Sequence, residues 1–388
     1  MDAQAFADRP FALSQDQRSM RDMMLDFAAE KIAPHAQAWD EARELPLDTI
    51  KETAELGCGG IYIGEDNGGA GLGRLDAAVV FEALATGCPA TSAFITIHNM
   101  AAWMVERFGS DDQRAEWLPR LTAMDAIASY CLTEPGSGSD AAALKTSARM
   151  DGNHYVLNGT KQFISGAGTN DVYLVMARTG EGGPRGVSAF LVEKDTPGLS
   201  FGAQEKKMGW HVQPTAQVVM DEVRVPATNM VGGEGNGFRM AMAGLDGGRL
   251  NIAACSLGGA QRALDLALAY AKERHAFGQP IADFQAIQFK LADMATELEV
   301  ARTFLYAAAA RLDAGGPDAG KFCAMAKRFV TDACFTVANE ALQVHGGYGY
   351  LADYGVEKIV RDLRVHQILE GTNEIMRVII ARQLLADA

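Results

Sequence analysis

The stretch QAIQFKLADMATELEVARTFLYAAAARLDAGGPDAGKFCAMAKRFVTDACFTVANEALQV (residues 285–344) decides the fold class. Apolar residues recur every three or four positions from Gln285 to Leu312 and again from Asp318 to Val344, with Gly315-Gly316-Pro317 between the runs. That spacing puts the apolar side chains on one face of each helix, and glycine followed by proline ends the first. A helix of about 28 residues is about 42 Å long. Two such helices bury their stripes only in a bundle. Similar patterns at 250–275 and 374–385 supply two more, predicting a four-helix bundle over residues 241–388.

Upstream the texture changes. The β-rich runs His154–Leu157, Val172–Ala177, Val187–Val192 and Gln217–Met220 alternate with the turn signals Asn158-Gly159, Gly180–Gly183 and Pro197-Gly198. No long helix separates them, which predicts a compact antiparallel β-domain over residues 128–240. Residues 1–127 read as helical: Ser14 caps a run carrying Met20, Met23, Met24 and Phe27, Pro34 interrupts it, and Leu75–Leu84 and Met100–Phe108 repeat the 3–4 spacing. The expected fold class is α+β, mainly α, in three parts.

Composition removes several functions. Of 388 residues, 35 are basic and 49 acidic, and the net charge of −14 argues against a phosphate-backbone partner. No run approaches the ~20 apolar residues needed to span a bilayer. Six cysteines show neither CxxC pairing nor zinc spacing with the scattered histidines, so no metal site is expected. Cys323 and Cys334 lie on one helix about 16 Å apart, too far for a disulfide, so reduced buried thiols are expected. The N-terminal MDAQAFADRPFALSQDQ has acids at positions 2 and 8 and no apolar segment. It reads as neither secretory signal nor transit peptide, implying bacterial cytoplasm, or mitochondrial matrix after removal of a leader. The glycine-rich Gly68–Gly73 resembles a dinucleotide fingerprint but meets Arg74 where the last glycine should stand.

Five segments carry candidate chemistry. Tyr130–Asp140 (YCLTEPGSGSD) offers exposed N–H groups and hydroxyls to a ring edge or phosphate, or serves as a Gly/Ser turn between domains. In Lys161–Gly168, Phe163 and Ser165 share one side of a strand, suited to stacking on and hydrogen-bonding a planar cofactor; a core Phe beside a solvent-facing Ser fits equally. Glu370, in ILEGTNEIMR (368–377), follows apolar residues and precedes a helix begun by Thr372 or Asn373. In an apolar cleft its pKa rises toward the working pH of a general base; otherwise it is a solvated loop acid. Gly244–Arg249 (GLDGGR), placed at a helix start, suits an elongated polar ligand or close helix packing. Arg274–Gly278 with Gln343–Gly347 pairs a cation with bare N–H groups for a diphosphate, unless Arg274 is a surface salt-bridge partner.

In this order and at these separations the five segments resemble the acyl-CoA dehydrogenase family, over nearly the whole chain. The resemblance implies helical, β and bundle domains, a homotetramer, FAD, and desaturation of the Cα–Cβ bond of an acyl-CoA thioester. It implies flavin contacts from Tyr130, Leu132, Thr133, Gly138 and Ser139, and from Phe163, Ile164 and Ser165, where many relatives carry tryptophan and threonine at the two hydroxyl-and-ring positions. Arg274, Phe277, Phe284, Gln285 and Gln343, Val344, His345, Gly346, Gly347 resemble the segments holding the FAD diphosphate and adenosine, partly across a subunit interface. Thr372, Asn373 and Glu374 resemble further FAD contacts. Ser139, Asp246, Gly247, Gly248, Arg249 and Arg382 resemble contacts to the CoA thioester. Glu370 occupies the family's catalytic-base position, and no carboxylate stands at the alternative position, Gly247 or Gly248. GLDGGRLNIAACSLG (244–258), GWHVQPT (209–215) and ALQVHGGYGY (341–350) resemble the branch acting on isobutyryl-CoA, which implies methacrylyl-CoA as product in valine breakdown and an electron-transfer flavoprotein as acceptor. Other short acyl-CoAs (butyryl- or 2-methylbutyryl-CoA), a same-fold oxidase using O₂ or a desulfinase, and a non-enzymatic acyl-CoA-binding protein are the alternatives.

Overall fold

Ser14 accepts the Gln17 N–H while the Gln17 side chain accepts the Ser14 N–H, a reciprocal cap that starts α1 (Gln15–Phe27). The chain's computed structural model describes residues 13–386, so most of the N-terminal segment read for a leader lies outside the described residues. Helices α2 (Ala36–Ala42), α3 (Leu47–Glu52), α4 (Arg74–Ala85), α5 (Pro89–Phe108) and α6 (Asp111–Thr122) follow. The sheet comprises β1 (Ala128–Cys131), β2 (Ser147–Asp151), β3 (His154–Ser165), β4 (Val172–Arg178), β5 (Val187–Glu193), β6 (Leu199–Phe201), β7 (Thr215–Pro226) and β8 (Met230–Val231). The C-terminal part contains α7 (Gly237–Glu273), α8 (Gln285–Asp313), α9 (Ala319–His345), α10 (Val356–Arg364) and α11 (Asn373–Ala386).

The expected order of a helical part, a β part and a second helical part is what the chain folds into, with three local differences. First, the sheet is mixed. Its order is β6-β7-β3-β2-β4-β5-β8, mostly antiparallel, but β1 runs parallel to β4 from the Ala128–Val172 pair, and β2 meets β4 parallel at Ser147–Arg178. Inside–outside alternation is the same for either strand direction, so the sequence pattern does not register it. Second, Asn158-Gly159 is no turn: it sits inside β3 at a bulge opposite β7. Gly159 has φ 149, and a Cβ there would lie 2.5 Å from the Thr146 hydroxyl. Third, GLDGGR lies two to three turns inside α7 rather than at its start.

The helices before and after the sheet share one apolar core, built on α4, α5, α7, α8 and α9. A second cluster packs α5, α6 and the start of α7 on one sheet face, and a third fills the sheet's interior. All six cysteines are buried and free. Among the described residues no helix is long and apolar enough to cross a membrane.

Helix α7 is the spine, about 55 Å long. It crosses α4 where Gly258 removes the side chain: a Cβ there would overlap the Glu82 carbonyl and stand 2.7 Å from Ala85 Cβ. Substituting Gly258→Ala gains helix propensity worth about 1 kcal/mol but overpacks a backbone contact that cannot yield, and net destabilisation of about 1–3 kcal/mol is expected. A thermal-melting comparison checks this; a variant as stable as the parent would contradict the close crossing.

Candidate active site

A 3₁₀ turn over Val365–Gln367 delivers the chain to Glu370, which has φ 56 and is followed by Gly371 with φ 87. A left-handed non-glycine residue costs about 1–3 kcal/mol and persists only when its surroundings hold it. Thr372 closes the turn by accepting the Ile375 N–H at 3.3 Å, so α11 begins at Asn373. The turn lays the Glu370 carboxylate against α7. A Cβ on Gly248 would stand 2.6 Å from Glu370 Oε2 and 3.2 Å from Met100 Sδ on α5. Although Glu370 as a residue is only half-buried, its Oε2 is shut from solvent and has no hydrogen-bond partner. Burial pushes the carboxyl up to about 7, against the pull of Arg249 and Lys327.

Two other buried polar atoms belong to residues within electrostatic reach of this carboxylate and lack partners, Tyr130 Oη and Arg249 Nε, as does Asn251 Nδ2, one turn along α7 from Gly247 and Gly248. Tyr130 and Glu370 are within electrostatic reach of each other, and the phenol is pushed well above its ordinary value by burial first and Glu370 second. Arg249 is paired to Asp246 on the preceding turn of α7. Asn251 Oδ1 accepts the Tyr62 hydroxyl at 2.6 Å. The Arg74 guanidinium stacks 3.8 Å over Tyr62 and 4.8 Å from the Trp103 ring centre, and fills the space a side chain on Gly247 would need. Buried donors and acceptors are almost always satisfied. Four unsatisfied atoms, from β1, α7 and the Glu370 turn, mark a site that a polar ligand completes.

The structure thus brings Tyr130, Gly247, Gly248, Arg249 and Glu370 together. Leu132 is buried in the apolar cluster under the sheet, Thr133 is half-buried, and Gly138 and Ser139 are exposed, with open space beside Gly136 and Gly138. Phe163 adopts φ 59 at a register shift in β3, and its ring is 63% exposed, so it presents a flat face outward. Two of the expected cofactor residues have side chains held inside the protein. Ile164 points into the sheet's core, because the register shift turns it inward. Asn373 is buried with its amide committed to α9: it accepts from Lys327 and donates to Asp332 and the Thr331 hydroxyl. Ser165 donates to Gln213 at 2.7 Å.

The remaining predicted residues form a second group. Arg274, Val344, His345, Gly346 and Gly347 line a cleft of about 380 Å³ with Tyr270 and Tyr348. His345 turns its ring inward, stacking on Tyr270 at 4.4 Å and bonding the Ala341 carbonyl, so the glycines and Arg274 are the parts left open. Phe277, almost fully exposed, meets Phe284 edge-on, and Gln285 and Gln343 are exposed nearby in sequence. Arg249 and Arg274 are separated by about 37 Å of helix. Glu374 and Arg382 are exposed on α11, Arg382 about 13 Å along the helix from Asn373.

Family models match the chain in sequence order: the acyl-CoA dehydrogenase N-terminal domain over residues 14–125, the middle domain over 129–223 and the C-terminal domain over 235–385. The chain belongs to the acyl-CoA dehydrogenase family. It is 56% identical to the mitochondrial isobutyryl-CoA dehydrogenase of Dictyostelium discoideum, over 97% of this chain and 90% of that one. It is 53% identical to the Bos taurus protein of the same name, over 98% and 91%. The solved butyryl-CoA dehydrogenase of Megasphaera elsdenii superposes with a TM-score of 0.94 at 37% identity, covering 97% of this chain and all of that one. This acyl-CoA dehydrogenase is therefore an oxidoreductase and a flavoprotein.

Sequence reading assigned no role to several residues that shape this acyl-CoA dehydrogenase's site. Glu134 holds the Tyr130–Asp140 loop by accepting the Lys145 and Thr146 N–H groups and the buried Lys161 ammonium at 2.8 Å. Arg74 and Lys327 were legible only as cations. Yet Lys327 falls on the same stripe as Cys323, Val330 and Cys334, where a lysine is out of place.

The raised Glu370 pKa has a stability consequence. Between the ordinary carboxylate value near 4.5 and about 7, the folded state keeps a proton that the unfolded chain releases, so folding stability falls as pH rises through that window. Glu370→Gln removes the effect. Without acyl-CoA present, its melting temperature is expected to exceed that of the parent by about 2–5 °C at pH 8 and to converge with it near pH 4.5. Equal shifts at both pH values would contradict the assignment.

Proposed function

We propose that the chain uses FAD to dehydrogenate a short branched acyl-CoA, isobutyryl-CoA to methacrylyl-CoA, with Glu370 as the sole base, and that electrons leave to an electron-transfer flavoprotein. The observation that carries this reading is the Glu370 carboxylate: shielded, unpartnered, and ionising near neutrality where it lies against α7.

A thioester α-proton is far too weak an acid for an ordinary carboxylate. Desolvation strengthens Glu370 as a base, and the Arg249 and Lys327 charges keep its ionised form accessible at neutral pH. Glu370 Oε2 would take the α-proton, while a hydrogen bond from the Glu370 N–H to the thioester carbonyl would stabilise the enolate-like charge. Bound FAD supplies a hydride acceptor for the β-carbon. Tyr130, Thr133, Ser139, Phe163 and Ser165 fit the flavin half: an unpartnered phenol, hydroxyls and an outward aromatic face. The Arg274–Gly347 cleft fits a diphosphate and adenosine. Its distance along α7 from Glu370 supports its serving the cofactor of another copy, as a homotetramer allows. An apolar cleft of about 560 Å³ between α8, α9 and α11, lined by Phe304, Phe329, Ile380 and Leu384, is the kind of face copies cover. The boundary near residue 127 falls in the connection between α6 and β1, and that near 240 falls just inside α7, a few residues past the β8–α7 connection, which supports the three-domain division to within a turn of helix.

Support for a short acyl group comes from what fills the space beside α7. Met104 lies against Gly244, Met100 against Gly248, and the Tyr62–Arg74–Trp103 stack against Gly247. Branched over straight is the finer step, since one methylene decides only ~1–3 kcal/mol.

Anaerobic addition of isobutyryl-CoA is expected to bleach the flavin absorbance of the parent. Glu370→Gln should retain FAD and ligand while the bleaching rate falls at least ~100-fold. Full-rate bleaching by the variant would refute the base, and peroxide formed in air would indicate an oxidase. Across isobutyryl-, butyryl-, 2-methylbutyryl- and isovaleryl-CoA, kcat/KM should favour isobutyryl-CoA by about tenfold; a preference for butyryl-CoA would overturn the branched assignment alone.

A further inference from the structure

Lys327 is a fully buried lysine in the middle of α9, and the proton transfer proposed above gives it no direct part. Stripping an ammonium of water is expensive unless every donor is used. Its Nζ donates to the Gly371 carbonyl at 2.8 Å and to Asn373 Oδ1 at 2.8 Å. Both acceptors belong to the segment that begins at Glu370, where two consecutive residues, Glu370 and Gly371, hold positive φ. Asn373 is in turn braced by the Thr331 hydroxyl and by Asp332, both on α9. The ammonium is thus the middle of a polar clamp between α9 and the turn.

We propose that Lys327 is a positioning residue for the Glu370 carboxylate: its ammonium fixes the left-handed Glu370-Gly371 turn against α9 and supplies a positive charge beside that carboxylate. The proposal rests on Glu370 being the base. The turn alone is strained and would relax if unclamped, carrying the carboxylate off the Gly248 gap. The charge matters because the groups facing Glu370 are few: Arg249, itself paired to Asp246, on α7; Tyr130 from β1; and Lys327 on α9. Lys327 in turn faces Glu370, Arg249, Asp332 and Glu374, and lies near the His366 ring, which burial keeps neutral. Although burial lowers Lys327 to about 8, it stays mostly protonated at neutral pH. With that cation gone, the ionised carboxylate loses a stabilising neighbour, so the pH at which the base becomes competent rises.

The test uses the FAD-loaded enzyme and anaerobic flavin-bleaching rates from pH 5.5 to 9, with whichever of isobutyryl-CoA and butyryl-CoA bleaches the parent faster. Lys327→Gln keeps an amide donor of similar length but no charge. Its acid limb is expected to move up by about one pH unit, giving about a tenfold slower reaction at pH 6 and near-parent rates at pH 9. Lys327→Met, lacking both charge and donor, should show the same shift and a lower plateau. Lys327→Arg should leave the limb in place. A Lys327→Gln enzyme that is folded and flavin-loaded with the parent's limb overturns the proposal, as does an unchanged limb in Lys327→Met; if the methionine variant does not fold, the glutamine variant decides. Glu370→Gln is run alongside. If it bleaches at the parent's rate, the base assignment has failed, whereas an inert Glu370→Gln with an unmoved Lys327→Gln limb refutes the clamp alone.

Discussion

A carboxylate can rest against the backbone of a helix only where that helix has given up its side chain, and the Glu370–Gly248 contact is built on that restriction. With Oε2 2.6 Å from where a Cβ would stand, even alanine at 248 would displace the acid. The same trade recurs along one stretch of α7. Gly244 admits Met104, Gly247 admits the Arg74 guanidinium, and Gly258 admits the α4 backbone. Each interior glycine costs about 1 kcal/mol of helix propensity. The helix tolerates them because tertiary packing on both flanks supplies what propensity lacks, and the return is a groove in which a charged group lies flush with a helix surface.

Such a position sets two demands against each other. The site must be dry enough to lift Glu370 toward 7, yet a fully isolated buried carboxylate would stay protonated far above neutrality and be no base at all. Arg249 and Lys327 supply the opposing pull without touching the carboxylate. Arg249 gives a terminal guanidinium N–H to Asp246, and Lys327 gives two donors to Gly371 and Asn373. Direct pairing by either would lower the carboxyl to an ordinary value and occupy the oxygen. Leaving Oε2 unpartnered between two engaged cations keeps it both ionisable and free.

How much of this could be read from the sequence follows from the physical range of each signal. The long helices from Gln285 and from Asp318 were legible because a 3.6-residue stripe sustained over seven turns has no other reading. Strands β4 and β5 were legible for a different reason, as short β-rich apolar runs bounded by turn residues. The direction of β1 was not, since pleat alternation is blind to it, and Asn158-Gly159 misled because a bulge and a turn draw on the same residues. GLDGGR was placed at a helix end because its glycines oppose helix locally; only partners distant in sequence, at 74, 100, 104 and 370, explain them inside one. Glu370 itself was visible from its motif. Its environment was not: Tyr130, Arg249 and Asn251 become a set of unpartnered atoms only after folding. Arg74 follows a glycine loop and looks like a solvated helix start, so nothing local announced that it would stack between two aromatic rings.

The distribution of polar groups along α7 also constrains how the chain can work. Near residues 246–251 the helix carries the charges and gaps that meet Glu370. About 37 Å further on it ends at Arg274, beside the bare glycines that follow α9. The core-facing side of the helix between them is lined mostly with alanine, leucine and glycine. Two half-sites held about 37 Å apart along one rigid helix cannot converge while that helix stays intact. If both hold parts of one extended cofactor, the parts come from different copies. The exposed rings of Phe277 and Tyr350 beside the second half-site are then surface that assembly covers.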